Sequence, residues 1–254
     1  MNLLISFRSE ILKTKRTASL YLAVIAAAIV PVIFLLDVSF DGVSAPNRKD
    51  PLNAFFREGF IMTGVLIFPM FVMLICTLLP QIEYRNNTWK QLFASPQTMA
   101  TVFFAKFLNV HLLILTYLVS YNVFMTLAIV AVHFIDPSLH LLNQPFEGDV
   151  MLTKNINSYV GILALSTIQF WIGFHFRNFI IPIAIGIALW FIGSVMLLDF
   201  NSSVADFFPY SYLGFTIFPK YNSQVPNVLL RSIGYALVFL AIAFLDFKRR
   251  RMKA

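Results

Sequence analysis

The chain has 254 residues, of which 59% are hydrophobic and 12% charged, and its mean hydropathy is +0.77. A soluble domain averages about 25% charged residues, so too few charges are present to solvate a globular surface of this size. The net charge of +7 does not point to nucleic acid, because the basic residues sit at the ends of apolar blocks, where topology signals belong. One cysteine, Cys76, lies in an apolar run, which excludes an intrachain disulfide and a multi-cysteine metal site.

In chain order, Leu3, Phe7 and Ile11 share a helical face by i, i+4 spacing, with Leu4 beside them and Arg8, Lys13, Lys15 and Arg16 around the remainder. This pattern predicts an amphipathic helix over residues 1–17, lying on the inner leaflet. A span needs about 20 mostly apolar residues. The first is 18–36, too long for the apolar core of a cleaved leader and therefore an uncleaved span. The second is 59–82. Residues 83–106 form the one substantial polar loop on their side; Thr88 is placed to cap a short helix carrying Trp89, Leu92 and Phe93, and Pro96 to stop it. The third span is 107–135. His133 and His140 flank its end, but six intervening residues do not match a usual metal-ligand spacing. The fourth and fifth spans, 155–176 and 178–198, are joined by a tight turn at Arg177 and Asn178.

Residues 199–226 are too aromatic for an exposed loop, with Phe207, Phe208, Tyr210, Tyr212, Phe215 and Phe218 broken by Pro209, Gly214 and Pro219. They read as short helices or a re-entrant segment at the outer interface. The sixth span begins near Pro226 and must accept Arg231, whose long side chain is expected to snorkel to the headgroups. Of the 19 lysines and arginines, only Arg48, Lys49, Arg57, Lys154, Lys220 and Arg231 fall on one side of this topology. The other side holds the rest, including the C-terminal run from Lys248 to Lys253, and is therefore the cytoplasm, with both termini inside.

The chain carries no Walker lysine motif, Gly-rich phosphate loop, His-Glu-x-x-His or Gly-x-Ser-x-Gly, so no ATPase site is expected in it. No ionisable residue falls near a predicted span centre, which argues against a proton-driven antiporter and a charged filter. Neutral polar residues do: Ser120 and Asn122 in the third span, and Ser166, Thr167 and Gln169 in the fourth. Asn122 and Gln169 either touch a substrate or hydrogen-bond within the bundle. On the second span Phe60, Gly64, Phe68, Phe71 and Ile75 share a face; on the fifth, Ile183, Ile187, Trp190 and Ser194 do. Each face is either ordinary packing and lipid contact or the wall of an apolar translocation cleft, in which Phe60, Phe68, Phe71, Trp190 and Asn122 are the candidate lining residues.

The polar loop carries a more specific pattern: Gln81, Glu83, Tyr84, then Asn86-Asn87-Thr88-Trp89-Lys90-Gln91-Leu92, then Pro96 and Ala105-Lys106. It resembles the permease subunits of type-2 ABC exporters, in particular single-domain permeases of bacitracin-resistance, lantibiotic-immunity and multidrug exporters. The start from Phe7 to Thr17 is similar to theirs as well. Asn86-Asn87 departs from the pattern, since many members have a glycine there. The resemblance implies a dimer of permeases, with a copy of the chain or a paralogue, bound to cytoplasmic ATPase subunits that carry the ATP and Mg; this chain itself holds no cofactor. It also implies that residues 83–95 contain a coupling helix that docks on the ATPase. Trp89 and Leu92 would anchor that helix, Thr88 would cap it, and Glu83 and Arg85 would pair across the subunit contact.

The expectation is thus an all-α, polytopic, single membrane domain over residues 1–254, with six spans, in the bacterial cytoplasmic membrane. Its expected function is ATP-driven export of an amphipathic or hydrophobic solute, namely a drug, antimicrobial peptide or lipid, with no enzyme activity of its own. The alternative is a structural or sensory membrane subunit that does not transport.

Overall fold

A computed structural model of the chain describes residues 3–15, 17–42, 50–86, 89, 97–198 and 203–251. Most of them are helical, and six helices are long and apolar enough to cross a membrane: Ala18–Phe40, Pro51–Arg85, Met99–Ile135, Gly148–His175, Ile180–Leu198 and Val225–Arg249. The elements are α1 (Leu3–Lys15), α2 (Ala18–Asp41), α3 (Pro51–Met62), α4 (Phe68–Arg85), α5 (Met99–Ile135), α6 (Gly148–Gly161), α7 (Leu163–His175), α8 (Ile180–Leu198), α9 (Tyr212–Ile217) and α10 (Val225–Arg251). A π-helical turn, Thr63–Ile67, joins α3 to α4 in one continuous span, and α6 runs into α7 through Ile162.

The helices exceed the predicted spans at several ends. Arg57, Lys106 and Lys154 interrupted the charge-free runs, yet they lie inside α3, α5 and α6. Thr98 caps α5, its hydroxyl accepting from the Thr101 amide at 3.2 Å, and Asn178 accepts from the Ile180 amide at the start of α8.

The core is made by α4, α5 and α7, with α2 laid along α5 and α10 along α7. One close approach explains how α4 and α7 mesh. Pro80 has no amide hydrogen, so the carbonyl of Cys76 four residues earlier loses its helical partner. Gly173 of α7 sits against that carbonyl: a Cβ at residue 173 would lie 2.6 Å from the Cys76 oxygen and 3.2 Å from the Thr77 Cα. Only glycine lets the two backbones meet there.

Both ends of the described chain lie at one end of the bundle, called here the termini end, where α1 and the last turns of α10 both pack on α5. At the distal end, short helical turns at Ser203–Phe207, Pro209–Ser211 and Pro219–Tyr221 flank α9. This segment dips back between the helices. The Ser211 amide lies beside Gly193 of α8, Ile217 fills the space over Gly64, and Thr216 lies against Gly161. Arg231 reaches to the distal segment. It donates to the Asp206 carbonyl at 2.9 Å and stacks on Phe207 at 4.3 Å, so it anchors the first turn of the segment.

Candidate functional site

At the termini end, α1 packs by a polar stripe. Ser6, Glu10 and Thr14, spaced i, i+4, i+8, are its buried residues, while Leu4, Ile5 and Leu12 are exposed. Ser6 donates to Gln97, Thr14 accepts from Asn109, and Glu10 receives the ammonium groups of Lys13 and Lys106. The stripe that meets protein is thus polar, while Leu4, Ile5 and Leu12 face outward together with Arg8 and Lys15.

Glu10 belongs to a cluster of four charges. Lys106 Nζ lies 2.8 Å from Glu10 Oε2 and 2.8 Å from Glu83 Oε1; Lys13 Nζ lies 2.8 Å from Glu10 Oε1 and 2.8 Å from Glu83 Oε1. Two carboxylates and two ammonium groups sum to zero. Such neutrality is required here, because Lys106 and Glu83 are only 1% and 2% exposed, and an unpaired charge at that burial is costly. Burial alone lowers the pKa of Lys13, but the Glu10 and Glu83 carboxylates more than offset this and leave it raised.

Glu83 therefore turns inward, to Lys106 of its own chain, which corrects the expectation that it faces a partner subunit. The cause is register: Glu83 sits on the side of the last turn of α4 that meets α1 and α5, whereas Arg85, two residues on, is exposed. Trp89 is half-buried and packs on Tyr84 of α4, Phe174 of α7 and Phe247 of α10, with ring centroids 5.3, 5.8 and 5.9 Å apart. Lys106 Nζ stands 6.0 Å from the Trp89 ring. Thr88 and Leu92, and with them most of the expected coupling helix, lie outside the described residues. Two further side chains of the loop pattern tie α4 to the end of α7: Gln81 donates to the Phe176 carbonyl at 2.7 Å and Tyr84 to the Phe174 carbonyl at 2.8 Å.

The candidate lining residues are not brought together. Phe60, Phe68 and Phe71 do share a face, but it is turned into the protein, at 2%, 2% and 1% exposure. Phe68 and Phe71 stack on the Tyr117 ring at 5.1 and 4.7 Å, and Phe60 lies edge-on to Tyr121. They are core residues, the packing alternative for this face and not the cleft wall. Asn122 pairs reciprocally with Asn155 of α6, and Gln169 is fully buried in hydrogen bonds. Trp190 lines a small cleft, which it shares with Gly64, Ser194, Tyr210, Leu213 and Phe218. His111, passed over in the sequence, is buried on α5 with Nδ1 3.3 Å from the Tyr159 hydroxyl; the lone histidine carried no pattern that could have singled it out.

Compared with known families, residues 6–193 match the model of the ABC-2 family transporter proteins. The chain belongs to this family. No curated protein and no solved structure gives a match. This ABC-2 transporter protein is accordingly a multi-pass membrane protein and the permease part of an ABC transporter. The matched residues contain the whole charge cluster and the loop pattern. The segment around Tyr210 and α10 lie beyond them.

Proposed function

We propose that this ABC-2 permease exports an amphipathic or hydrophobic solute, such as a drug, an antimicrobial peptide or a lipid, in the manner of bacitracin-resistance and lantibiotic-immunity permeases. Mg-ATP is bound and hydrolysed by a separate cytoplasmic subunit that docks at the termini end. A second permease, a copy or a paralogue, completes the pathway. The basic termini end faces the cytoplasm, and the membrane is the bacterial cytoplasmic membrane.

The observation that carries this reading is how the 83–106 connection is rooted. The Glu83–Lys106 contact ties the end of α4 to the start of α5, so both roots of the loop move as one. Trp89 rests on α7 and α10, and α1 is bound through Glu10. A push delivered to the loop by an ATPase is thereby shared by five helices instead of bending one. With Phe60, Phe68 and Phe71 inside the core, the solute path runs along the Trp190 face of α8, between two permeases.

The test is affinity purification of the full chain from its native membrane in mild detergent, with identification of what accompanies it. A stoichiometric cytoplasmic protein with a Walker motif is expected, together with loss of transport-stimulated ATP turnover in Trp89→Ala and Arg85→Glu variants that remain in the membrane. Absence of any ATPase, under conditions that hold other transporter complexes together, would move the chain to a structural or sensory role.

A further inference from the structure

Gln169 on α7 joins three other elements. Its Nε2 donates to the Thr77 hydroxyl of α4 at 3.3 Å and to the Pro182 carbonyl of α8 at 2.8 Å, and its Oε1 accepts from the Tyr210 hydroxyl at 3.1 Å. Thr77 spends its own proton on the Met73 carbonyl at 2.9 Å, so it can only accept from Gln169. The amide orientation is thus set by its neighbours. Gly186 makes room for it: a Cβ there would stand 2.6 Å from Gln169 Oε1. Gly186 is 12 residues from the distal end of α8 at Leu198, about 18 Å at 1.5 Å per residue. The Tyr210 hydroxyl therefore reaches deep into the bundle from a segment whose backbone lies near Gly193.

Gln169 is fully buried and Tyr210 is 4% exposed, so both polar atoms are satisfied by each other and by neighbouring protein groups. Lifting the 203–224 segment would leave Gln169 Oε1 and the Tyr210 hydroxyl unsatisfied together. Displacing α4 at Thr77 would instead loosen the amide that Tyr210 holds. We infer that Gln169 is a positioning residue of the transport cycle: with Tyr210 it latches the distal segment shut, and through Thr77 it makes the latch sensitive to movement of α4, the helix that ends in the Glu83 cluster. This rests on the exporter reading for its purpose, but not for its test.

The reporter is Leu213→Cys, a residue 4% exposed in the cleft beside Gly64, placed in the full chain with Cys76→Ala. Its modification by a membrane-impermeant maleimide is timed from each face of sealed native membranes. Tyr210→Phe should speed labelling about three- to twenty-fold, the range expected for one interhelical hydrogen bond in a membrane. Gln169→Met should do the same, and the double variant should be no faster than either. Unchanged labelling in Tyr210→Phe, or two effects that multiply, overturns the latch; should Gln169→Met not accumulate, Tyr210→Phe alone decides. With the ATPase and ATP added, labelling of the reporter chain should accelerate, and that acceleration should vanish in the latch variants. A latch effect without ATP and no response to ATP would keep the latch and remove the exporter reading.

Discussion

Glu83 and Lys106 stand 23 positions apart in sequence and 2.8 Å apart in space, one at each root of the loop between α4 and α5. Neither contact nor burial is incidental. The ion pair closes the base of the loop while Glu10 and Lys13 of α1 complete its charge balance. The two roots of the loop are thus tied to each other from within the chain.

Lys106→Met should be severely destabilising. It leaves Glu10 and Glu83 with Lys13 alone, at a site where breaking a buried pair costs about 3–5 kcal/mol. The apparent melting temperature in detergent should fall by on the order of 10 °C. Adding Glu10→Gln restores neutrality and should recover part of that loss. Equal melting of Lys106→Met and the parent chain would show that the cluster is not a net structural element.

Gly173→Ala adds one methyl group and should cost about 1–3 kcal/mol or more, because its nearest neighbours are backbone atoms of Cys76 and Thr77 that cannot swing aside. The expected sign is opposite to the usual gain from replacing glycine by alanine inside a helix. Thermal unfolding in detergent distinguishes the two: a variant more stable than the parent would mean that α4 and α7 do not meet at this residue.

Six apolar blocks were legible in the sequence because a membrane admits few other patterns, but the helix ends were not. Lys106 ended a charge-free run although two carboxylates neutralise it inside the fold, and one of them, Glu10, comes from a helix 96 positions away. The polar stripe Ser6, Glu10, Thr14 has the same spacing as the apolar stripe Leu3, Phe7, Ile11 on the same helix. Choosing which stripe meets protein requires knowing that Gln97, Lys106 and Asn109 lie opposite. The shared face of Phe60, Phe68 and Phe71 was equally visible, yet periodicity does not say whether a face looks into a core or a cleft. Tyr117, placed between Phe68 and Phe71, decides that for α4. Gln169 and Tyr210 are separated by 41 positions and a whole span, and nothing in their local sequence marks them as partners.

Phe71→Ala and Trp190→Ala should separate packing from pathway. Phe71 is 1% exposed and stacked on Tyr117, so its loss should cost about 3–5 kcal/mol of stability. Trp190 is half-buried beside the cleft, and its truncation should cost less than half as much while, on the proposed export function, changing solute efflux at equal protein level. Efflux measured per molecule of folded permease is the comparison to make. If Phe71→Ala melts like the parent and alters efflux selectively, the buried aromatic face belongs to the pathway after all.

Lys13 gives the cluster a pH signature. Its pKa is raised in the fold, because Glu10 and Glu83 outweigh the burial that would lower it. A raised folded pKa means that its contribution is fully present below the unfolded value of about 10.5 and is lost as pH climbs through the folded value. Its side chain is 36% exposed, so solvent screening holds that contribution to about 1 kcal/mol or less. Lys13→Met should therefore lower the melting temperature by a small, constant amount between about pH 6 and 9, and the gap to the parent should close above about pH 10.5. A gap that instead opens as pH rises from 6 to 9 would mean that Lys13 titrates below its ordinary value, and hence that burial outweighs its two carboxylates.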